Sequence, residues 1–140
     1  MTSRPATSTR QSRASRRAGV IVGIAIVVAF IAALLVADAF WAVPDWVALL
    51  YLGMSTLCFI VYAVDKSAAV AGRRRISENT LLGLGLVGGW PGAILAQQFL
   101  RHKLRKRPFM VPFVATVGAN VGVLVLLLTP LGSRILDALL

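Results

Sequence analysis

Acidic residues are scarce in this chain. Five Asp+Glu stand against 15 Lys+Arg, and charged residues of both signs make up only 14% of its 140 residues. A soluble domain is nearer ~25% charged, so there is too little polar side chain here to cover a water-soluble globule. A single cysteine, Cys58, excludes an intrachain disulfide. The single histidine, His102, has no second His or Cys close by in sequence, so no metal site is expected, and nothing calls for a cofactor. Hydrophobic residues, by contrast, reach 58% and come in long blocks. About 18 or more in a row with few charges is the signal of a membrane span.

Residues 1–18 carry Arg4, Arg10, Arg13, Arg16 and Arg17 and no acid. Such a segment cannot bury enough apolar surface to fold alone, so it reads as a disordered, basic cytoplasmic tail. Residues 19–140 form the membrane domain, with apolar blocks at 19–37, 46–64, 81–100 and 110–129. The first block is longer than the ~7–15 residues of a signal peptide's apolar region, so an uncleaved span is expected. Trp41 and Trp46 flank the turn that follows it, where interfacial aromatics belong. The fold class is therefore all-α and membrane-embedded, with three or four transmembrane helices.

The third block, 81–100, is broken at Gly88-Gly89-Trp90-Pro91-Gly92. If all four blocks cross and the tail is cytoplasmic, Arg101, Lys103, Arg105, Lys106 and Arg107 face outward, against the positive-inside rule. If the third block is re-entrant, Arg134 alone is outward. Each half-helix would then reach roughly 10–12 Å at ~1.5 Å per residue. Its broken backbone would have to be surrounded by the other spans. The rival is a kinked helix that crosses, since proline is tolerated in membrane helices. Charge bias favours the re-entrant form.

Gly83, Gly85 and Gly88 match a dinucleotide-binding fingerprint on paper, but that fingerprint needs a preceding strand, which an apolar membrane block does not supply. Small-residue spacings at Gly19/Gly23, Gly85/Gly89, Gly88/Gly92 and Gly118/Gly122 permit close helix contact. They imply tight packing and leave room for a homo-oligomer. Asn120, Gln97 and Gln98 must face other helices, because an unsatisfied amide in lipid costs several kcal/mol. Asp65 sits where the second block ends, and a helix C-terminus favours cations. Its carboxylate is therefore expected to have a basic partner, with Arg75, Arg101 and Lys103 as candidates. Ser77 is placed to cap the next helix and Glu78 to suit its dipole. Glu78 could instead face Asp65 as a second carboxylate.

Asp65-Lys66 with Ala68 and Ala69, Gly72, Arg75-Ile76-Ser77-Glu78, Leu81, Gly88-Gly89-Trp90-Pro91-Gly92-Ala93, His102-Lys103-x-Arg105-Lys106 and Phe109 occur in that order. As a set they resemble the bacterial membrane family called domain of unknown function 1294. The resemblance covers residues 65–109. It implies a multi-pass protein of the bacterial inner membrane and brings no activity with it. The family pattern usually reads His-Lys-Thr in the basic loop. Leu104 stands here in place of the threonine, which counts against a hydroxyl-dependent role at that position.

The leading functional expectation is a non-enzymatic, multi-pass membrane protein with its N-terminus cytoplasmic. Asp65, Lys66, Arg75, Glu78, His102 and Lys103 would form a cytoplasm-facing polar cluster, with Gly88 to Gly92 shaping the helix break. Its ligand would be a phosphate-bearing lipid head group or an anion, since anionic lipids are the default partners of basic juxtamembrane segments. An alternative is an enzyme acting on a lipid or lipid-linked substrate, with Asp65 or Glu78 as acid/base. A third is a tether for nucleic acid through the Arg-rich tail. That ranks last, because five arginines beside a span are already explained by orientation.

Overall fold

The computed structural model describes residues 7–100 and 107–139. Six helices follow one another: α1 Thr7–Trp41, α2 Asp45–Val70, α3 Glu78–Leu84, α4 Trp90–Phe99, α5 Arg107–Leu128 and α6 Pro130–Leu139. A wide π-type turn, Gly85–Gly89, links α3 to α4. Among the described residues every regular element is helical. Four stretches are long and apolar enough to cross a bilayer: Arg13–Trp41, Asp45–Val70, Glu78–Phe99 and Phe109–Leu128. Ile21, Val28, Leu35, Leu49, Leu52, Val111 and Val125 are all exposed on α1, α2 and α5, as hydrocarbon-facing side chains are in a membrane protein.

The third stretch is not a rod. Its direction follows from which residues meet. Gly88 lies against Tyr51, Gly89 against Met54 and Cys58, Gly92 against Ser55, and Gln97 beside Tyr62. Positions on α4 and α2 thus rise together, so the two helices are parallel. At the other end Ile76 meets Asp65. Both ends of the stretch therefore lie at the α2 C-terminal side of the bundle, and its tip lies near Tyr51. On α1, Phe30 packs on Trp90 at 4.6 Å and Gly23 faces Gln98, so α4 runs antiparallel to α1. The chain goes in, turns and comes back through one face, as a re-entrant hairpin. Half of the most apolar window of this stretch is buried, against 11% for the first and last spans. That is the condition for broken backbone at membrane depth.

The break itself is capping chemistry. Gly88 has φ +117°, ψ 3°, a left-handed turn that glycine makes without a Cβ penalty and that ends the right-handed path continued from α3 through the π-type turn. Gly89 then precedes α4, and Pro91 sits in its first turn, where a missing N–H costs nothing. The ten residues of α4 span roughly 15 Å, about half of a ~30 Å hydrocarbon core. That is deeper than the sequence estimate, because the legs run from Glu78 and to Phe99 with little lost to the turn.

Two helix limits differ from those read in the sequence. Helix α1 begins at Thr7, so in this structure residues 7–18, expected to be disordered, continue the span. Ala, Arg, Gln and Ser tolerate a helix well enough once a long apolar helix has met the cost of nucleation. Helix α2 runs on past Val64 to Val70, which places Asp65 inside the helix rather than at its end. Beyond Leu128, read as a short tail, α6 folds back on α5, with Gly132 packed on the Leu127 backbone.

Candidate functional site at the basic face

The α2 stripe Cys58, Tyr62, Asp65 recurs at spacings of four and three, so the three side chains share one helix face. All are fully buried. Asp65 is the one buried charged residue in the described core. Its Oδ1 accepts the Ile76 backbone N–H at 2.8 Å, and its Oδ2 accepts from Arg75 Nη2 at 3.3 Å. The carboxylate thus ties the loop after α2 back onto the helix before the chain turns inward. Among the described residues, Arg75 is an expected basic partner that meets Asp65. The guanidinium is 55% exposed while the carboxylate is 0% exposed. The Coulombic gain of the pair is therefore modest, and the shielded carboxylate depends at least as much on the amide bond.

This division gives an expectation for variants. Asp65→Leu orphans the Ile76 amide at a cost of about 1–3 kcal/mol, while Arg75 regains water. Asp65→Asn retains an oxygen for that amide and should lose no more than ~1 kcal/mol. Thermal unfolding in detergent should rank wild type, then Asp65→Asn, then Asp65→Leu. Equal loss in both variants would show that charge, not the amide, dominates.

Of the other expected cluster members, Lys66 is half-buried and lies about 100° around the helix from Asp65. Ser77 Oγ accepts the Thr80 N–H at 3.2 Å and caps α3 as its sequence position implies. Glu78 is exposed in that first turn, and among the described residues no hydrogen bond or ion pair joins it to Asp65. His102 and Lys103 lie outside the described residues. Among those that are described, no group of three His, Cys, Asp or Glu is placed to hold a metal ion.

A second polar node lies at the hairpin tip. Asn120 Oδ1 accepts from Tyr51 Oη at 2.6 Å and from Trp90 Nε1 at 3.0 Å. Asn120 Nδ2 donates to the Leu86 carbonyl at 2.8 Å. Turning at Gly88 leaves carbonyls near the end of α3 without helical partners, and Asn120 supplies one. This is the interhelical role expected for Asn120, and its role is to hold the fold.

Tyr62 and Tyr51 were not singled out from the sequence. A signal existed for Tyr62, because it shares the Asp65 face one turn away in an otherwise apolar helix. Gln97, expected to face other helices, lies beside Tyr62, and Gln98 lies against Gly23.

Both α3 and α5 begin at the face that holds Asp65, since Phe113 and Thr116 flank Gly85 while Asn120 reaches the tip. Leu100 and Arg107 therefore stand at the same face as Arg73, Arg74 and Arg75. Residues 55–109, which take in the second half of α2 and the whole hairpin, match the family model described as "Protein of unknown function (DUF1294)". The resemblance read over 65–109 lies within these matched residues. No curated protein and no solved structure matches the chain.

Proposed function

We propose that this multi-pass membrane protein, through the segment matched by DUF1294, acts without catalysis and binds phosphate-bearing anions at its basic face, chiefly lipid head groups. The observation that carries the reading is the fold-back of Glu78–Phe99. It places the Arg73–Arg75 loop and both ends of the 101–106 segment at one face of the bundle, the face from which α1 also starts. Arg13, Arg16 and Arg17 on α1 are exposed there. Each such residue near an anionic surface contributes roughly 1 kcal/mol. Arg75 holds Asp65 yet stays more than half exposed, and a guanidinium fork suits phosphate oxygens. By the positive-inside rule this face is cytoplasmic, with the N-terminus inside and the protein in the bacterial inner membrane.

Sidedness is checked by cysteine labelling after Cys58→Ala. Arg74→Cys and Lys106→Cys should react with an impermeant maleimide from the same side, and Asp45→Cys from the other. Labelling of Lys106→Cys on the Asp45 side would end this reading of the basic face. Binding is checked by lipid retention on purified protein. Wild type should hold phosphatidylglycerol over phosphatidylcholine, and Arg75→Ala with Lys103→Ala should lower that preference several-fold. An unchanged preference counts against the proposal, and turnover of the lipid pool would replace it with the enzymatic reading.

A further inference from the structure

Beneath Asp65, two buried polar atoms lie in the helix interface without a well-formed hydrogen bond. Tyr62 Oη and Gln97 Nε2 are both buried and have no hydrogen-bond partner among the described residues. The two side chains approach each other across the α2–α4 contact, near enough for a weak direct attraction but without hydrogen-bond geometry, and Ala93 and Ala96 beside them are fully buried. Tyr62 is 0% exposed, so bulk water does not satisfy it. Orphaned polar atoms in an apolar surround are costly, and native proteins rarely keep them. The Asp65 carboxylate stands one helical turn from Tyr62, on the same face.

We infer that Tyr62, Gln97 and Asp65 frame a buried subsite for a hydroxyl group, supplied either by an ordered water or by a polyol head group of the lipid bound at the basic face. The second source rests on the proposal above; the first does not. The chemistry of the three groups selects the guest. Gln97 Nε2 only donates, Tyr62 Oη donates or accepts, and an ionised carboxylate only accepts. A guest oxygen must accept from an N–H and offer a proton to an acceptor, and a hydroxyl does both. A phosphate or carboxylate would meet the Asp65 charge, and an ammonium cannot accept from Nε2. The basic face would then take the phosphate of a lipid while the groups beneath it take its hydroxyls.

The test uses the full chain in nanodiscs, with Tyr62→Phe, Gln97→Leu and the double variant. In phosphatidylcholine each single change should lower the melting temperature by a few degrees. The double variant should lose clearly less than the sum, since both changes break one shared bridge. Neutral or stabilising single variants would overturn the subsite, because removing atoms that bond to nothing relieves the structure. The source is read by adding phosphatidylglycerol or phosphatidate, which share the phosphate and differ in the glycerol head. A larger stabilisation of wild type by phosphatidylglycerol, lost in Tyr62→Phe and Gln97→Leu, identifies the polyol. Equal stabilisation by the two lipids, with the single-variant losses intact, identifies water. If neither anionic lipid binds wild type, the basic-face proposal falls while the single-variant losses still decide the hydroxyl. If both lipids bind but the variants are neutral, the subsite falls alone.

Discussion

Gly92→Ala should abolish the folded protein, although it adds a single methyl group. An ideal Cβ at position 92 would land on the backbone carbonyl of Ser55. Backbone cannot rotate aside as a side chain can, so α4 would have to leave α2. That separates the most closely packed pair of helices in the bundle and unseats Cys58, Tyr62 and Ala96, which are fully buried. Overpacking commonly costs about 1–3 kcal/mol, and a rigid backbone obstacle belongs at or above the top of that range. Detergent extraction should yield aggregate or a strongly lowered melting temperature. Gly53→Ala and Gly118→Ala are the matched controls. Nothing lies within 4 Å of either position, and both are inside helices, where alanine is favoured over glycine by ~1 kcal/mol. The controls should be neutral or stabilising. If Gly92→Ala behaves as they do, the α2–α4 contact is not as close as described.

Asn120→Leu is the second large effect. It removes one side chain and orphans three groups on three different segments: Tyr51 Oη, Trp90 Nε1 and the Leu86 carbonyl. In soluble cores each orphan costs about 1–3 kcal/mol, whereas interhelical bonds in membranes average nearer ~0.6 kcal/mol. A total of roughly 2–5 kcal/mol follows, enough to loosen the hairpin tip. Trp90→Phe removes only one of the three bonds and should cost less than half as much. The measurement is unfolding in SDS–detergent mixtures, followed in every variant by far-ultraviolet circular dichroism. A loss in Asn120→Leu no greater than in Trp90→Phe would mean that the asparagine does not hold the three segments together.

Much of this fold is legible in the residues, and the reasons are specific. Blocks of apolar side chain mark spans because lipid is the only solvent that accepts them. The hairpin is legible because charge bias and backbone chemistry agree. Basic loops on both sides of 81–100 resist being parted by the membrane, and Gly88-Gly89-Trp90-Pro91 places a left-handed turn before a proline start. Asp65 is legible as a residue in need of a cation, from its place after an apolar block that reads as a helix end. The helix in fact continues to Val70, and burial rather than the dipole creates the need.

Other parts were hidden for equally physical reasons. Helix α6 is short, and Pro130 reads as a stop when it is in fact the first residue of a new helix. Which lipid-phase polar groups meet depends on hairpin depth, which no local pattern encodes. Thus Tyr51, Trp90 and Asn120 converge although Asn120 is 69 positions from Tyr51. That Arg75 meets Asp65 follows from the turn after α2, which presents the Ile76 amide and Arg75 to one carboxylate.

The clasp formed by Asn120 has a bearing on biogenesis. The residue that satisfies the hairpin tip is translated after it. While the ribosome is still making α5, the stretch 78–99 has no protein partner for the Leu86 carbonyl, and a half-crossing hairpin is unstable facing lipid alone. We therefore expect the hairpin to wait at the membrane surface, or to cross transiently as an ordinary span, until α5 arrives. Arrested chains ending before Asn120 should leave Val87→Cys open to an impermeant thiol reagent, and chains ending after Leu128 should protect it. Equal protection in both would place the hairpin's insertion ahead of its clasp.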